Sequence, residues 1–359
     1  MLPSRTPRDK RMTKMSSRSM TKVLVALGAA ATLALTACSG GGGNGNAGGS
    51  GSDSGDATAK VDPFSPEVDT IVGVQYQQTS AAPFLAAEQN GIAADYGLTL
   101  KLVPGESSPA MITQLVGGEG QVATASAWGV VNAIRNGIDL RIVGENYREG
   151  PDSLTVEALP DSGIKELKDL IGKKVGVVGL NSGHDLRIKY AMEQEGMDWS
   201  KVTFVDLPFG EMNSNLETGN IDAASLVGPL LAQAKDKLHT VTVFDYGKGI
   251  YEGFSALAWI STGDFVDKNP NAVAAFQCAV VLKGAELVRD DKDAYYKSIM
   301  DGLGWTEAQI DATTKVNYPA ANDAEELQMT PHIMYTLGAI DEELDMSKIT
   351  VPMPDNCDK

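Results

Sequence analysis

From Thr70 onward, short apolar runs alternate with longer amphipathic segments that end near a glycine. Such runs predict strands, and apolar residues spaced three or four apart predict helices. In the first series, strands are predicted at 71–76, 98–103, 121–125 and 140–144, and helices at 83–91, 109–116 and 128–136. Repeated strand–helix units are typical of a largely parallel sheet covered by helices.

A second series of the same kind follows a crossover at 153–159. Its predicted strands are 174–178, 202–206, 221–226 and 240–244, and its predicted helices are 164–170, 183–195, 210–218 and 229–235. Another crossover at 255–260 leads into a helical C-terminal third, with helices at 272–288, 294–300, 307–314 and 324–337. The pattern predicts two α/β lobes, each with a mostly parallel sheet flanked by helices.

The order of these elements also predicts the domain organisation. Residues 68–152 form the first part of lobe 1, 153–251 form lobe 2, and 252–359 return to lobe 1 and add the C-terminal helices. In open α/β sheets, ligands bind outside the carboxyl ends of the strands. The cleft between the two lobes is therefore the predicted ligand site.

The first 37 residues predict export. Seven Lys and Arg residues precede an uncharged apolar stretch from Val23 to Ala37, which is the pattern of a secretory signal peptide. This stretch is shorter than the roughly 20 apolar residues that span a bilayer. Leu35-Thr36-Ala37-Cys38 resembles the lipobox of bacterial lipoproteins, which implies cleavage before Cys38 and its lipidation. The alternative is an ordinary signal peptide with an incidental cysteine.

Residues 38–67 predict a flexible linker behind the anchor. Gly, Ser, Asn, Asp, Ala and Thr make up almost all of 39–58. Such a segment has no large apolar side chain whose burial would offset the entropy of ordering it. Together with the signal, it predicts a domain tethered just outside the outer face of the cell membrane.

Charge and cysteine content narrow the class of protein. The formal net charge of −17 argues against nucleic acid and against anionic membrane surfaces as partners. Beyond Cys38 the chain contains Cys278 and Cys357. They either form a disulfide, as an exported protein allows, or remain a buried apolar residue and a free thiol in the tail. The three histidines lack metal-ligand spacing, so neither a metal nor a cofactor is expected.

Five segments carry a resemblance to a known family. They are GVQYQ at 73–77 with PFLAAEQNGI at 83–92, LVGGEGQVATA at 115–125, SGIKELKDLIGKKVGV at 162–177, NSGH at 181–184 and ETGNIDAA at 217–224. In this order they resemble the nitrate/sulfonate/taurine and thiamine-pyrimidine (SsuA/THI5-like) solute-binding proteins of ABC transporters. The chain departs from that pattern at Gln121, where an aspartate is usual, and at Val227-Gly228-Pro229, where Trp-Glu-Pro is common.

The resemblance implies a two-lobed, type II periplasmic-binding fold. It further implies a monomeric binding protein that captures a small sulfonate-, nitrate- or taurine-like solute and delivers it to ABC permease subunits in the membrane. A thiamine-precursor pyrimidine or another planar heterocycle is the alternative ligand. A lipoprotein that uses the same cleft for sensing is an alternative role.

Lobe 1 offers two candidate segments for the ligand. The first follows the first strand and supplies an aromatic ring, a hydroxyl and two amides, from Tyr76, Gln77 and Gln78. The second opens a helix, where a capping serine and free backbone N–H groups can hold an anion; it comprises Ser126, Ala127 and Trp128. The competing interpretations are a surface loop and a tryptophan of the core.

Lobe 2 offers a matching turn at the start of a helix. Asn181, Ser182, Gly183 and His184 would present side-chain donors and backbone N–H groups to a sulfonate, nitrate or carboxylate. The alternative is a capping turn that binds nothing. Further candidates lie on neighbouring loops and at the return crossover, namely Phe209, Gly228 and Tyr251.

Catalysis is not expected. Gly176, Gly179 and Gly183 lie on a predicted strand–turn–helix, and Asp206 ends the next strand, so an exported dinucleotide-binding oxidoreductase is the enzymatic alternative. The Gly-x-Gly-x-x-Gly fingerprint is absent from the sequence, however, as are the motifs of hydrolases and P-loop proteins.

Overall fold

Two five-stranded sheets form the frame of the protein. The computed structural model describes residues 61–311, 313, 316–319 and 323–358. In chain order the strands are β1 (Thr70–Gln75), β2 (Thr99–Pro104), β3 (Val122–Ala125), β4 (Leu140–Arg148), β5 (Leu154–Ala158), β6 (Lys174–Val177), β7 (Thr203–Asp206), β8 (Ala223–Val227), β9 (Val241–Asp245) and β10 (Ser255–Thr262). The strand order is β2-β1-β3-β10-β4 in the first sheet and β7-β6-β8-β5-β9 in the second.

Helices cover both sheets. They are α1 (Ala82–Gln89), α2 (Ile92–Asp95), α3 (Ser108–Val116), α4 (Ala127–Arg135), α5 (Gly183–Gln194), α6 (Met212–Glu217), α7 (Gly228–Gln233), α8 (Gly263–Lys268), α9 (Pro270–Phe276), α10 (Ala285–Asp290), α11 (Lys292–Leu303), α12 (Glu307–Asp311) and α13 (Ala324–Thr336). Ser107 caps α3 and Asp291 caps α11, because their side-chain oxygens accept hydrogen bonds from otherwise unpaired N–H groups of the first turn.

Each sheet contains one strand that runs against the others. In the first sheet, β10 is antiparallel to both β3 and β4, while β1 is parallel to β2 and β3. In the second sheet, β5 is antiparallel to β8 and β9. Both reversed strands come directly after the chain has crossed from one sheet to the other, at 149–153 and 246–254. The prediction of two mostly parallel sheets is confirmed.

The two lobes share apolar packing. One buried cluster contains residues of both sheets, such as Val74 and Val156. Helix α13 lies against α4 of the first lobe and α5 of the second, and the rings of His332 and Tyr190 meet edge to face across the contact with α5. The C-terminal helices therefore bridge the two lobes as well as covering the first.

A long helix forms the centre of lobe 1. Helices α9 and α10 are joined by a π-helical segment, Gln277–Gly284, into one continuous helix. By length and composition, Pro270–Asp290 is the one described helix that would be able to cross a membrane, but 72% of its apolar stretch is buried within the protein. That degree of burial is typical of a core helix.

The C-terminal tail is fastened to the same helix. A disulfide joins Cys278 to Cys357, and the Tyr96 hydroxyl donates to the Cys357 carbonyl. Upstream, the tail pairs with β4 through an isolated parallel bridge between Ile142 and Thr350. The tail thereby belongs to lobe 1, although it is distant from the lobe 1 sheet in sequence.

Two predictions about local structure were wrong. The helix predicted at 164–170 is reduced to a 3-10 turn, Leu167–Leu170, because the backbone is extended at both Glu166 and Ile171 and left-handed at Gly172. The linker predicted to reach residue 67 ends earlier, since Phe64 stacks on Tyr96 with ring centroids 5.1 Å apart. The predicted signal peptide (1–37), Cys38 and the linker up to residue 60 lie outside the described residues.

Candidate functional site

The N-terminal ends of α4 and α5 meet where the two lobes face each other. Trp128, in the first turn of α4, is only 7% exposed and stacks on Phe254, with ring centroids 6.3 Å apart. Its indole Nε1 lies 2.5 Å from the position that a β-carbon on Gly183 would occupy. Since real β-carbons do not approach that closely, only glycine fits at the first position of α5. Trp128 is therefore both an interlobe contact and a member of the core.

Serine residues organise the start of α4. Ser126 caps the helix, with its Oγ accepting from the Gly129 N–H at 3.2 Å. Its own N–H donates to the Ser108 Oγ at 3.0 Å, which ties α4 to the start of α3. Ala127 is 1% exposed. The positive end of the α4 dipole thus points at the space between the lobes.

The predicted anion turn of lobe 2 uses most of its own donors. The Asn181 and Ser182 N–H groups donate to the Asp185 carboxylate at 3.1 and 2.8 Å. The His184 N–H donates to the Ser182 Oγ at 3.2 Å. Three of the four backbone N–H groups expected to face an anion are therefore satisfied within the turn. The buried Asp185 carboxylate already complements the α5 dipole. This turn is therefore better described as a capping box than as an anion-binding site.

Lobe 1 contains buried polar side chains that lack partners. They stand along the carboxyl edge of the first sheet, and each is at most 2% exposed: Gln75, Ser80, Asn146 and Ser255. Within the described residues, both amide atoms of Gln75, the hydroxyls of Ser80 and Ser255, and Oδ1 of Asn146 form no hydrogen bond. Leaving such a group unpaired costs about 1–3 kcal/mol. Four such groups in one region make this sheet edge a candidate binding site.

Strand order explains how these groups come together. Gln75 ends β1, and Asn146 lies near the end of β4. Ser255 begins β10, which runs the opposite way, so its first residue lies at the carboxyl edge of the other strands. Ser80 follows β1, and its carbonyl accepts from Asn146 Nδ2 at 3.2 Å. The segment after β1 therefore crosses the sheet edge toward β4.

The residues predicted to follow β1 are more exposed than Gln75. Tyr76 and Gln78 are half-buried, and Gln77 is exposed. Burial raises the pKa of Tyr147, and the nearby Glu149 and Tyr76 raise it further while Arg187 opposes them. Tyr76 therefore lies close to Tyr147 and to the region where the chain leaves lobe 1. The three predicted residues border the same edge as Gln75, at its outer side.

The lobe 2 candidates surround the His184 ring. The Phe209 ring meets it edge to face, with centroids 5.6 Å apart, and Nδ1 of His184 lies 2.8 Å from the Ser225 Oγ. Burial, with a smaller contribution from the Arg187 charge, lowers the pKa of His184 to about 3. Gly228 begins α7 with a φ of +54° and has open space beside it. His184 and Phe209 are thus brought together, while Gly228 stands apart at the rim.

A buried ion pair lies behind this surface. Arg187, 3% exposed, binds Glu149 through Nη1–Oε2 at 2.5 Å and Nη2–Oε1 at 3.1 Å. Burial alone would lower the pKa of Arg187, but the charge and hydrogen bonds of Glu149 outweigh it and raise the pKa. The guanidinium carbon lies 4.6 Å from the Tyr246 ring and 4.7 Å from the Phe254 ring. Glu149 belongs to the first crossover, so the pair joins α5 to the connection between the lobes.

The position predicted for Tyr251 needs correction. Its side chain is fully buried, and its hydroxyl donates to the Arg187 carbonyl at 2.7 Å. It therefore supports the ion pair from the interior and does not border the cleft. The physical reason is the second crossover, which folds Tyr251 and Phe254 inward around the Arg187 guanidinium.

Sequence reasoning missed the unpartnered polar residues and Arg187. Gln75 directly precedes the predicted Tyr76–Gln78 triplet, and a polar residue inside an apolar strand was the available signal. Arg187 lies four residues after Gly183, on the helix face that also carries buried Leu186 and Ala191. A cation among buried positions predicts a buried acidic partner, although the sequence does not say which one.

Comparison of the fold with known structures identifies its class. The periplasmic aliphatic sulphonate binding protein SsuA of Escherichia coli superposes with a TM-score of 0.64 at 16% identity, covering 79% of this chain and 97% of that one. The periplasmic nitrate-binding protein NrtA of Synechocystis PCC 6803 gives a TM-score of 0.62 at 16% identity, covering 79% and 86%. The fold is the two-lobed, type II periplasmic-binding fold, as predicted.

Sequence comparison places the chain within that class. The family described as NMT1/THI5 like matches residues 78–294, more than half of the chain, and the protein belongs to this family. It is 24% identical over 222 residues to the nitrate/nitrite binding protein NrtA of Nostoc sp. strain PCC 7120. That match covers 56% of this chain and 50% of the relative, so the chain spans about half the length of the curated relative it matches.

Proposed function

We propose that this protein is the solute-binding component of an ABC importer and captures a small nitrate- or sulfonate-type solute between its lobes. The observation that carries the proposal is the row of buried side chains with unpartnered polar atoms at the carboxyl edge of lobe 1: Gln75, Ser80, Asn146 and Ser255. A ligand that pairs with them recovers hydrogen-bond energy that folding alone leaves unused. These side chains supply hydrogen-bond donors and acceptors, which suits the binding of a polar solute.

The available donors fit a small oxyanion. Gln75 Nε2 and the hydroxyls of Ser80 and Ser255 supply neutral donors, and the N-terminus of α4 contributes its dipole. An acceptor-rich solute would satisfy several of these groups at once. The proteins that resemble this chain are named for nitrate and sulfonate binding, which supports that ligand class. A planar pyrimidine, held between Tyr76 and Phe209, is the competing ligand.

The transport step follows from the two crossovers. Segments 149–153 and 246–254 connect the lobes and are the places where a hinge motion would occur. A ligand that touches both lobes favours the closed form over the open form. The closed form, a monomer in this proposal, would then dock on the membrane permease subunits that carry the solute inward.

The ligand is tested by the thermal stability of the full-length chain in the presence of nitrate, ethanesulfonate, taurine and 4-aminopyrimidine. A solute at 100 times its dissociation constant should raise the free energy of unfolding by about 2.7 kcal/mol. No shift with any solute would count against the proposal.

One variant separates a binding role of Gln75 from a structural one. In Gln75→Leu, an unpartnered amide is replaced by an apolar group of similar size, so the unliganded protein should keep or gain stability. The ligand-induced shift should nevertheless disappear. Gln194→Leu, at an exposed position at the end of α5, is the matched control and should keep the shift. Loss of stability in Gln75→Leu with an unchanged ligand shift would indicate a structural residue.

We propose further that Cys38 is lipidated and anchors the protein to the outer face of the cell membrane. The lipobox-like Leu35-Thr36-Ala37-Cys38 and the Gly/Ser-rich segment behind it support this location. In cells, Cys38→Ala should release the protein from sedimented membranes. Unchanged sedimentation of the variant with membranes would contradict the anchor, without affecting the proposal about the ligand.

A further inference from the structure

Three hydrogen bonds form a chain beneath the cleft surface of lobe 2. The Tyr246 hydroxyl lies 2.6 Å from the His184 carbonyl oxygen. The Ser225 Oγ lies 3.2 Å from the Tyr246 hydroxyl oxygen, and Nδ1 of His184 lies 2.8 Å from the Ser225 Oγ. Ser225 and Tyr246 are both fully buried, so water does not compete for these groups.

The direction of each bond in this chain is fixed. A carbonyl oxygen only accepts, so Tyr246 must donate its single hydroxyl proton to the His184 carbonyl. Burial raises the pKa of Tyr246, which keeps that proton in place. The Tyr246 oxygen can then only accept, so Ser225 donates to it. With its own proton used, the Ser225 Oγ accepts from His184, and Nδ1 of His184 must carry a proton.

The His184 ring is held in the neutral form. Burial and the adjacent Arg187 charge both disfavour a second proton, and the pKa of His184 is lowered to about 3. A neutral imidazole carries one proton. Because that proton is on Nδ1, Nε2 is an unprotonated acceptor at neutral pH.

The two nitrogens of the His184 ring face different surroundings. His184 lies in the first turn of α5, at the carboxyl edge of β6, with β8 beside it and the Phe209 turn after β7 on the other side. Nδ1 faces the buried Ser225, so Nε2, on the opposite side of the ring, points away from Ser225. Among the described residues no hydrogen bond to Nε2 is formed.

We propose that Nε2 of His184 is a specificity-determining acceptor that selects solutes carrying an N–H or O–H donor beside their main polar group. This inference rests on the proposed solute-binding function and narrows its ligand class. A solute such as nitrate, which has only acceptors, leaves Nε2 unpaired in the closed cleft. An amino- or hydroxyalkanesulfonate can satisfy lobe 1 with its anionic end and His184 with its donor.

Three sulfonates that differ at one group test the selectivity. Ethanesulfonate has no donor, isethionate adds an O–H and taurine adds an ammonium group. The dissociation constants are measured by calorimetric titration of the full-length chain. Isethionate, taurine or both should bind with a dissociation constant about tenfold lower than that of ethanesulfonate, which is the effect of one good hydrogen bond. In His184→Asn that preference should vanish, because the shorter amide can still donate to Ser225 but does not reach the cleft. His239→Asn, at an exposed histidine, should retain it.

Nitrogen-15 NMR of the histidine-labelled chain tests the tautomer independently of any ligand. The His184 resonances, identified by their loss in His184→Asn, should show a protonated Nδ1 and an unprotonated Nε2. Ser225→Ala removes the acceptor for Nδ1, so the single tautomer and the donor preference should both be lost. A protonated Nε2 in the unaltered chain overturns the inference.

The remaining outcomes separate the inference from the proposed function. If sulfonates bind without a donor preference, or if His184→Asn keeps that preference, the inference is wrong while solute binding stands. If neither nitrate nor any sulfonate binds, the proposed ligand class fails. The inference is then tested by comparing the binding of 4-aminopyrimidine with that of pyrimidine, because only the first carries an N–H donor. Equal binding, or no binding, of this pair overturns it.

Discussion

Gly150 and Gly247 are in direct backbone contact where the two interlobe connections pass each other. The Gly150 carbonyl oxygen lies 2.0 Å from the position that a β-carbon on residue 247 would occupy. The carboxylate of Asp245 reinforces this contact, because it accepts from the N–H groups of Asp152 at 3.1 Å and Gly247 at 3.0 Å. The two connections are therefore packed against each other, and their close approach requires a residue without a side chain at position 247.

Gly247→Ala should therefore strain the contact between the two connections. The added methyl group meets backbone atoms, which cannot rotate away as a side chain can, so we expect a loss of about 2 kcal/mol or more in the free energy of unfolding. Urea unfolding of the full-length chain measures it. Gly210→Ala is the matched control, since nothing lies within 4 Å of its β-carbon position. Equal stability of the two variants would rule out a tight contact at 247.

The Arg187–Glu149 pair gives a second prediction. Arg187→Met leaves the Glu149 carboxylate buried without its partner, and this should cost about 3–5 kcal/mol of unfolding free energy. The double variant Arg187→Met/Glu149→Met should recover most of that loss, because no unpaired charge remains in the interior. Differential scanning calorimetry of the three proteins would measure both effects.

An exposed ion pair serves as the control for this experiment. Lys268 and Asp264 lie one helical turn apart, with Lys268 Nζ 2.7 Å from Asp264 Oδ1. Their side chains are 69% and 73% exposed. Lys268→Met should therefore change stability by less than about 1 kcal/mol. A comparable loss in Lys268→Met and Arg187→Met would mean that burial contributes nothing to the Arg187 pair.

Most of the fold could be predicted from local pattern. The eight strands predicted after 70 are short, apolar and bounded by glycine-containing turns, so their positions were predicted to within a few residues. The segments interpreted as crossovers, 153–159 and 255–260, are the strands β5 and β10. The predicted helix at 164–170 failed because the backbone is extended at Glu166 and at Ile171. The apolar spacing of Ile164, Leu167 and Leu170 resembles that of a helix whether or not the helix continues. The pairing of the tail with β4 was not predictable, because it joins residues about 200 positions apart.

The site was harder to predict, because it depends on which polar side chains the fold buries. Tyr76 and Gln75 are adjacent in the sequence, yet only Gln75 is fully buried and unpartnered. The sequence does predict that the lobe 2 turn uses its own N–H donors, because Ser182 and Asp185 have the spacing of a capping box. The orientation of the His184 ring depends on Ser225 and Tyr246, and their approach is a property of the fold.

The disulfide between Cys278 and Cys357 should contribute substantially to stability. The two residues are 79 positions apart, and closing a loop of that length in the unfolded chain corresponds to about 4 kcal/mol in the chain-entropy treatment. Reduction should therefore lower the midpoint of urea unfolding. The Cys278→Ala/Cys357→Ala variant should match the reduced protein and show no response to reductant. Identical unfolding of the oxidised and reduced protein would refute this contribution.

The lowered pKa of His184 makes stability depend on pH. An unfolded histidine has a pKa near 6.5, whereas the folded value is about 3, so the unfolded state binds more protons between these values. The stabilising effect of the neutral ring is complete above about pH 6.5 and is lost as the pH falls toward 3. At pH 5 the loss should reach at most about 2 kcal/mol.

Comparison with a variant isolates this effect from the carboxylates that titrate in the same range. At pH 7, His184→Asn should be less stable than the unaltered chain, and the gap in unfolding free energy should narrow at pH 5, because only the unaltered chain loses the contribution of His184. Urea unfolding at the two pH values measures the gap. Gln194→Leu, which removes no titratable group, is the control and should show the same pH dependence as the unaltered chain. A gap for His184→Asn that stays constant between pH 7 and 5 would mean that His184 accepts a proton in the folded state as readily as in the unfolded one.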